Sequence, residues 1–262
     1  MVRTYFLLAW TWTRAAAAYP VSFWLMTVLS LAVAATDLAV ILVVFANTTS
    51  LAGFSREEVL FLYGAASLPF TLCDLFVSNL DRVSRHIKDG TLDTFLIRPA
   101  GAWLQLATDR FTPTRAGRVV QAAVVLVWAV AALDLDPGRL WMLPVMTATG
   151  LVIFTALWTL AGAAQFALTD APEVVNAFTY GGHQLTQYPL AIYGRDLVRG
   201  VTYVLPLAFV NWQPGLYVLG RADPFGTPEF MRFLGPVAAP ALALLAALAW
   251  RQGVRHYRST GS

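Results

Sequence analysis

Between positions 21 and 46 the chain runs 26 residues with a single charged side chain, Asp37. A helix crosses the hydrocarbon core of a bilayer with about 20 largely apolar residues, so this stretch is long enough to span. Residues 58–80, 117–133 and 141–168, together with 237–250 extended back to Phe230, repeat the pattern. Composition agrees: 58% of residues are hydrophobic and 13% charged, whereas an ordinary soluble domain carries roughly 25% charged residues. Mean hydropathy is +0.61. So much apolar surface cannot be hidden in one water-soluble core, and an all-α integral membrane protein follows.

The polar connections set the orientation. Residues 81–118 carry Arg82, Arg85, Lys88, Arg98, Arg110, Arg115 and Arg118, and the tail adds Arg251, Arg255 and Arg258. The turns at 47–57 and 134–139 hold one arginine each. Basic loops stay cytoplasmic, so six spans with both termini inside fit this bias. The same placement, between and after apolar runs, explains the pI of about 9.2 without a nucleic-acid partner. Cys73 stands alone, which excludes an intrachain disulfide.

The N-terminal stretch resembles a secretion signal in having an early arginine and a short apolar core. Arg14 and its threonine and tryptophan neighbours break that core, and a full span follows at once. As a helix it sets Arg3 and Arg14 on one side and Tyr5, Leu8 and Trp12 on another, an amphipathic element for the cytoplasmic surface.

Residues 173–228 are harder to place. Polar, broken backbone at membrane depth is tolerated where it faces protein or a wet cavity. On that basis 173–190 is expected to be a fifth, interior-facing span after a turn at Asp170–Glu173. Residues 191–228, punctuated by Pro206, Pro214 and Pro224, become short re-entrant or surface helices. This placement puts Arg195, Arg199 and Arg221 outside, against the charge bias, and a rival register makes 197–219 the span and 173–196 a cytoplasmic surface helix. No internal repeat divides the chain, so 1–262 is read as one transmembrane domain.

Polar groups inside apolar runs mark candidate sites. Asp37 and Asp74 each cost about 2.5–3.5 kcal/mol at a helix centre, so each needs a partner or water. Asp74 lies toward the cytoplasmic end and reads most simply as a packing hydrogen bond. Asn176, Tyr180, His183, Gln184 and Gln187 recur at spacings of three and four, so they share one helix face. With Asp37 they are the candidate translocation path, the competing reading being a polar seam between helices.

In the basic segment, Gly90 can end one helix and Asp89 or Thr91 can start another. From there Leu92, Phe95 and Leu96 fall on one face, flanked by Asp93 and Arg98, and Pro99 stops the helix. Such a short amphipathic helix can fill a groove on a partner or lie on lipid headgroups.

Three motifs now resemble one family. IKDGTLDTFLIRP (87–99) is similar to a Gly-x-Leu-Asp-x-x-Leu-x-Arg-Pro segment that follows the second span in permease subunits of type-2 ABC exporters. Residues 188–220 resemble that family's Tyr-Pro…Pro…Pro pattern, and 250–262 its basic tail. The resemblance is to the bacterial group with permeases of roughly 260 residues, and it covers essentially the whole chain. It implies a multi-pass subunit of the bacterial inner membrane that exports an amphipathic or hydrophobic compound by alternating access. It also implies a second permease, identical or paralogous, and separate ATPase subunits that bind ATP and Mg. The coupling helix, through Lys88, Gly90, Leu92, Asp93, Phe95, Leu96 and Arg98, would dock on those subunits.

This chain lacks a Gly-x-x-x-x-Gly-Lys-Ser/Thr loop, and its one lysine is Lys88. It cannot cradle ATP phosphates in that manner. No cofactor or metal set and no catalytic residue is expected in it. A membrane-embedded lipid-modifying enzyme and a non-transporting scaffold or immunity protein are the alternatives.

Overall fold

Helix starts and stops in this chain follow local chemistry. The computed structural model of the chain describes residues 2–168 and 172–257. Its first helix, α1 (Val2–Ala17), gives way to α2 (Pro20–Asn47) at Pro20. Proline suits the first helical turn, because its missing N–H would have no partner there. α3 (Arg56–Phe76) begins with a reciprocal cap: Ser55 Oγ accepts from Glu58 N at 3.3 Å, and Glu58 Oε2 accepts from Ser55 N at 2.8 Å. Two orphan amides are thereby satisfied.

Three short helices follow, α4 (Val83–Lys88), α5 (Leu92–Leu96) and α6 (Ala102–Thr108). Gly90 between the first two adopts φ +64°, the left-handed conformation that glycine enters without a side-chain clash. Next come α7 (Ala116–Ala132), α8 (Met142–Ala164) and α9 (Pro172–Thr186). The chain closes with α10 (Arg195–Arg199), α11 (Trp212–Leu219) and α12 (Gly235–His256). Among the described residues the only β pairing is an isolated bridge, Leu51 to Phe54.

Five stretches are long and apolar enough to cross a bilayer: Pro20–Asn47, Arg56–Phe76, Pro113–Ala132, Pro137–Ala164 and Gly235–His256. They match the expected first four spans and the last. α9 lies where the sequence places the fifth. Its 15 residues measure about 22 Å at 1.5 Å per residue, short of the hydrocarbon core. The rival span, 197–219, is not one helix: α10, a π turn (Gly200–Val204), a 3₁₀ turn (Leu207–Phe209) and α11 divide it. The Asp170–Ala171 part of the expected turn and the tail from Arg258 lie outside the described residues.

α3 is the axis of the bundle, buried along most of its length against α7, α8 and α9. Two glycines permit that closeness. A Cβ on Gly64 would lie 2.8 Å from the Leu126 Cα of α7, and one on Gly150 of α8 would lie 2.7 Å from the Pro69 ring of α3. α12 packs along α8, and α2 leans on α7 at the periphery. Asn211 ties the far elements together, its amide donating to Leu62 O at 3.0 Å and to Thr186 O at 2.6 Å. α2, α7 and α12 turn apolar side chains outward, among them Trp24, Val28, Val124, Val127 and Leu244. A water-soluble domain rarely exposes so extended an apolar surface; a multi-pass membrane protein presents it to lipid.

Candidate functional site

Four helices, α2, α3, α7 and α9, surround a cavity of about 140 Å³. α9 supplies Tyr180, His183 and Gln184, and Gln187 follows just past its end, along the face that the sequence spacing marks. α2 supplies Asp37, α3 supplies Tyr63, Ser67 and Phe70, and α7 supplies Arg118 and Gln121. Five of the six expected path residues therefore border one space. Asn176, one turn toward the start of α9, is exposed and does not border it.

The contacts explain how the polar set is kept in place. His183 is 6% exposed and its ring stacks on Phe70 at 3.8 Å with 7° between planes. His183 Nε2 lies 3.1 Å from Gln187 Nε2, and Gln187 Nε2 donates to Asp37 Oδ2 at 3.4 Å. Gln121 Nε2 donates to Ala34 O at 3.0 Å. Gln121 Oε1 and His183 Nδ1 are buried without a hydrogen-bond partner. Buried polar atoms are normally satisfied, so such orphans mark places where water or a ligand completes the set.

Beside the cavity lies a charged node that sequence reasoning missed. Asp74, 1% exposed, receives Arg115 Nη1 at 2.9 Å and Arg118 Nη1 at 3.4 Å. Arg115 also bonds Ser78 Oγ, and Arg118 Nε donates to Ser30 Oγ at 2.9 Å. Tyr180 brings α9 into the node, its hydroxyl lying 3.1 Å from Asp74 Oδ1 and 3.3 Å from Asp81 Oδ2. The packing role expected for Asp74 is thus an ion-paired one. Arg115 and Arg118 read in the sequence as loop charges, yet they turn back onto the end of α3. Their nearness to the start of an apolar run was the available signal.

Asp81 follows α3 in a 3₁₀ turn, Ser78–Arg82. Burial pushes its carboxyl up to about 6, with the Asp74 charge adding to the rise and the bonds from Trp158 and Tyr180 opposing it. A carboxyl whose folded pKa exceeds its unfolded value stabilises fully below the unfolded value and loses that contribution as pH rises through the folded one. Thermal stability of the solubilised chain is therefore expected to fall between pH 3.8 and about 6. Asp81→Asn should flatten that part of the profile, and an unchanged profile would contradict the assignment.

In the segment expected to dock on a partner, the apolar stripe is turned toward the chain itself. Leu92 is fully buried in this chain's own core, and Phe95 and Leu96 pack half-buried against it. The apolar face of α5 thus fills an internal groove, because α4 and α6 lie beside it. Lys88, Gly90, Ile97 and Arg98 are the exposed members, and Asp93 is half-buried. Gln105 of α6 locks the segment, its amide donating to Phe95 O at 2.9 Å and to Ala100 O at 2.5 Å. Asn79 Nδ2 bonds Ala107 O at 3.2 Å, joining α6 to the turn after α3.

Two of the three outlying arginines also find partners. Arg221 grips Glu58 with two bonds of 2.7 Å, and Arg199 pairs with Asp196 at 3.5 Å. Among the described residues no group of three or more His, Cys, Asp or Glu side chains is placed to hold a metal.

A family model described as "ABC-2 family transporter protein" matches residues 31–261. No curated protein and no solved structure gives a match. The match takes in all five spans except the first turns of α2, and on it the chain belongs to the ABC-2 family of transporter membrane proteins.

Proposed function

We propose that this chain is the transmembrane subunit of an ATP-driven exporter, carrying an amphipathic or hydrophobic compound outward by alternating access. Permeases of this family are generally non-catalytic membrane components that work with ABC ATPase partners. The engine in this reading is a separate pair of ATPase subunits holding ATP and Mg, and a second permease completes the pathway. α9 and the irregular stretch after it together make the fifth of six crossings, before α12. α1 lies at the cytoplasmic interface, and both termini face the cytoplasm of a bacterial cell.

One observation carries the reading. α9 both walls the polar cavity and bonds, through Tyr180, to the Asp74–Asp81 node at the head of the basic segment. Shifting a permease from mostly one state to mostly the other takes about 5.5 kcal/mol of differential binding. A lever must be stiff to deliver that, and the Gln105 and Asn79 bonds make the 81–108 region stiff. Motion imposed on α4 and α5 by an ATPase reaches α9 through the node rather than being lost in a loop. The docking surface is then the exposed Lys88, Gly90 and Arg98 rather than buried Leu92.

The test is the reconstituted complex with its ATPase. Lys88→Glu with Arg98→Glu is expected to weaken ATPase association about tenfold or more, as reversing charge across a complementary interface does. Val33→Trp, at an exposed position bordering the cavity, should abolish cargo-stimulated ATP hydrolysis while leaving the complex assembled. Full stimulation after Val33→Trp would overturn the path, and undiminished association after the double reversal would overturn the docking surface.

A further inference from the structure

We infer that the cavity between α2, α3, α7 and α9 selects a protonated amine head group, an assignment that rests on reading this cavity as the transport path. The Asp37 carboxylate borders it, and its one hydrogen bond among the described residues is the 3.4 Å contact from Gln187. No arginine, lysine or histidine among the described residues lies within ion-pair distance of it, whereas Glu58 and Asp74 of α3 are each paired with arginine. Arg118, the cation on the same cavity, is committed to Asp74 and to Ser30. A carboxylate at membrane depth without a countercharge is costly, so a cation that enters is stabilised there.

The remaining groups fit an N–H donor rather than a bare ion. Gln121 Oε1 is a pure acceptor and is buried without a partner. An ammonium group carries three donors: Asp37 and Gln121 accept from it and water takes the remaining N–H, because His183 Nδ1 holds the ring proton when Nε2 faces the Gln187 amide donor. The volume, about 140 Å³, is close to the ~150 Å³ of an engineered cavity that holds benzene. It therefore takes an aryl or short alkyl amine, or the amine end of a longer amphiphile. Tyr63 and Phe70 supply aromatic surface for the apolar part.

The probes are benzylammonium, benzyl alcohol and benzoate, which share a ring and differ in charge. Each is titrated calorimetrically into the full chain in lipid nanodiscs, with empty nanodiscs subtracted for partition into lipid. Benzylammonium is expected to bind, benzyl alcohol about tenfold more weakly, and benzoate not at all. Asp37→Asn should weaken benzylammonium by about 30-fold, the effect of removing one partner of a partly desolvated charge pair. It should leave benzyl alcohol unchanged, and Asp37→Glu should restore the cation.

Equal binding of all three probes, no binding of benzylammonium, or an Asp37→Asn chain that keeps its cation affinity would each overturn the assignment. Val33→Trp separates this failure from failure of the path. If the three probes bind alike and all are lost in Val33→Trp, the cavity stands as a binding space and its charge selection falls. If benzylammonium binding survives Val33→Trp, the ligand lies elsewhere and both readings fall.

Discussion

Asp74→Leu is expected to destabilise the chain by about 3–5 kcal/mol, the penalty of leaving buried charges without their partner. Arg115 and Arg118 would face each other over a leucine, each about a quarter exposed and short of water to replace the carboxylate. Tyr180 would lose one of its two acceptors, loosening α9 from α3. The temperature at which half the solubilised chain aggregates should drop sharply, and a chain as stable as the unaltered one would show that the node does not hold the bundle. A triple change, Asp74→Leu with Arg115→Met and Arg118→Met, tells structure from function. Well-packed apolar replacements of buried ion pairs are often neutral or stabilising, so most of the lost stability should return. Cargo-stimulated ATP hydrolysis should not return, because the ionic link from Tyr180 of α9 through Asp74 to Arg115 and Arg118 is gone and only the Asp81 bond remains.

Gly64→Val should cost about 3 kcal/mol, at the upper end of what overpacking does. Its Cβ would meet the Cα and N of Leu126 at 2.8 and 2.9 Å, backbone atoms that no rotamer change can move aside. α3 and α7 would have to separate, and the Asp74 node spans the same pair of helices. Even Gly64→Ala should destabilise, although alanine gains about 1 kcal/mol over glycine in a helix interior. Gly181 of α9 is the control, since a Cβ there meets nothing within 4 Å. Gly181→Ala is expected to stabilise by about 0.5–1 kcal/mol. If both alanine variants shift thermal stability in the same direction, close packing of α3 on α7 is not what Gly64 provides.

Most of the architecture could be read from the sequence because a bilayer imposes a length and an apolarity that few other structures share. The same holds for the α9 face: residues three and four apart must meet the same neighbour, and Asp37 needed company. Phe70 gave no such sign, since one aromatic in an apolar run looks like any other. Arg115 and Arg118 were legible as charges but not as partners, because hydropathy records where a residue attaches and not where a long side chain reaches. The stripe of Leu92, Phe95 and Leu96 was correct as a stripe. Periodicity cannot say which body a stripe packs on, and here it packs on its own chain.

Asn211 has a mechanical consequence for α9. By donating to both Leu62 and Thr186 it fastens the C-terminal end of that helix to the axial helix, while the Tyr180 hydroxyl fastens its middle. Loss of the Tyr180 bonds is therefore expected to loosen the middle of α9 while Asn211 still holds its C-terminal end.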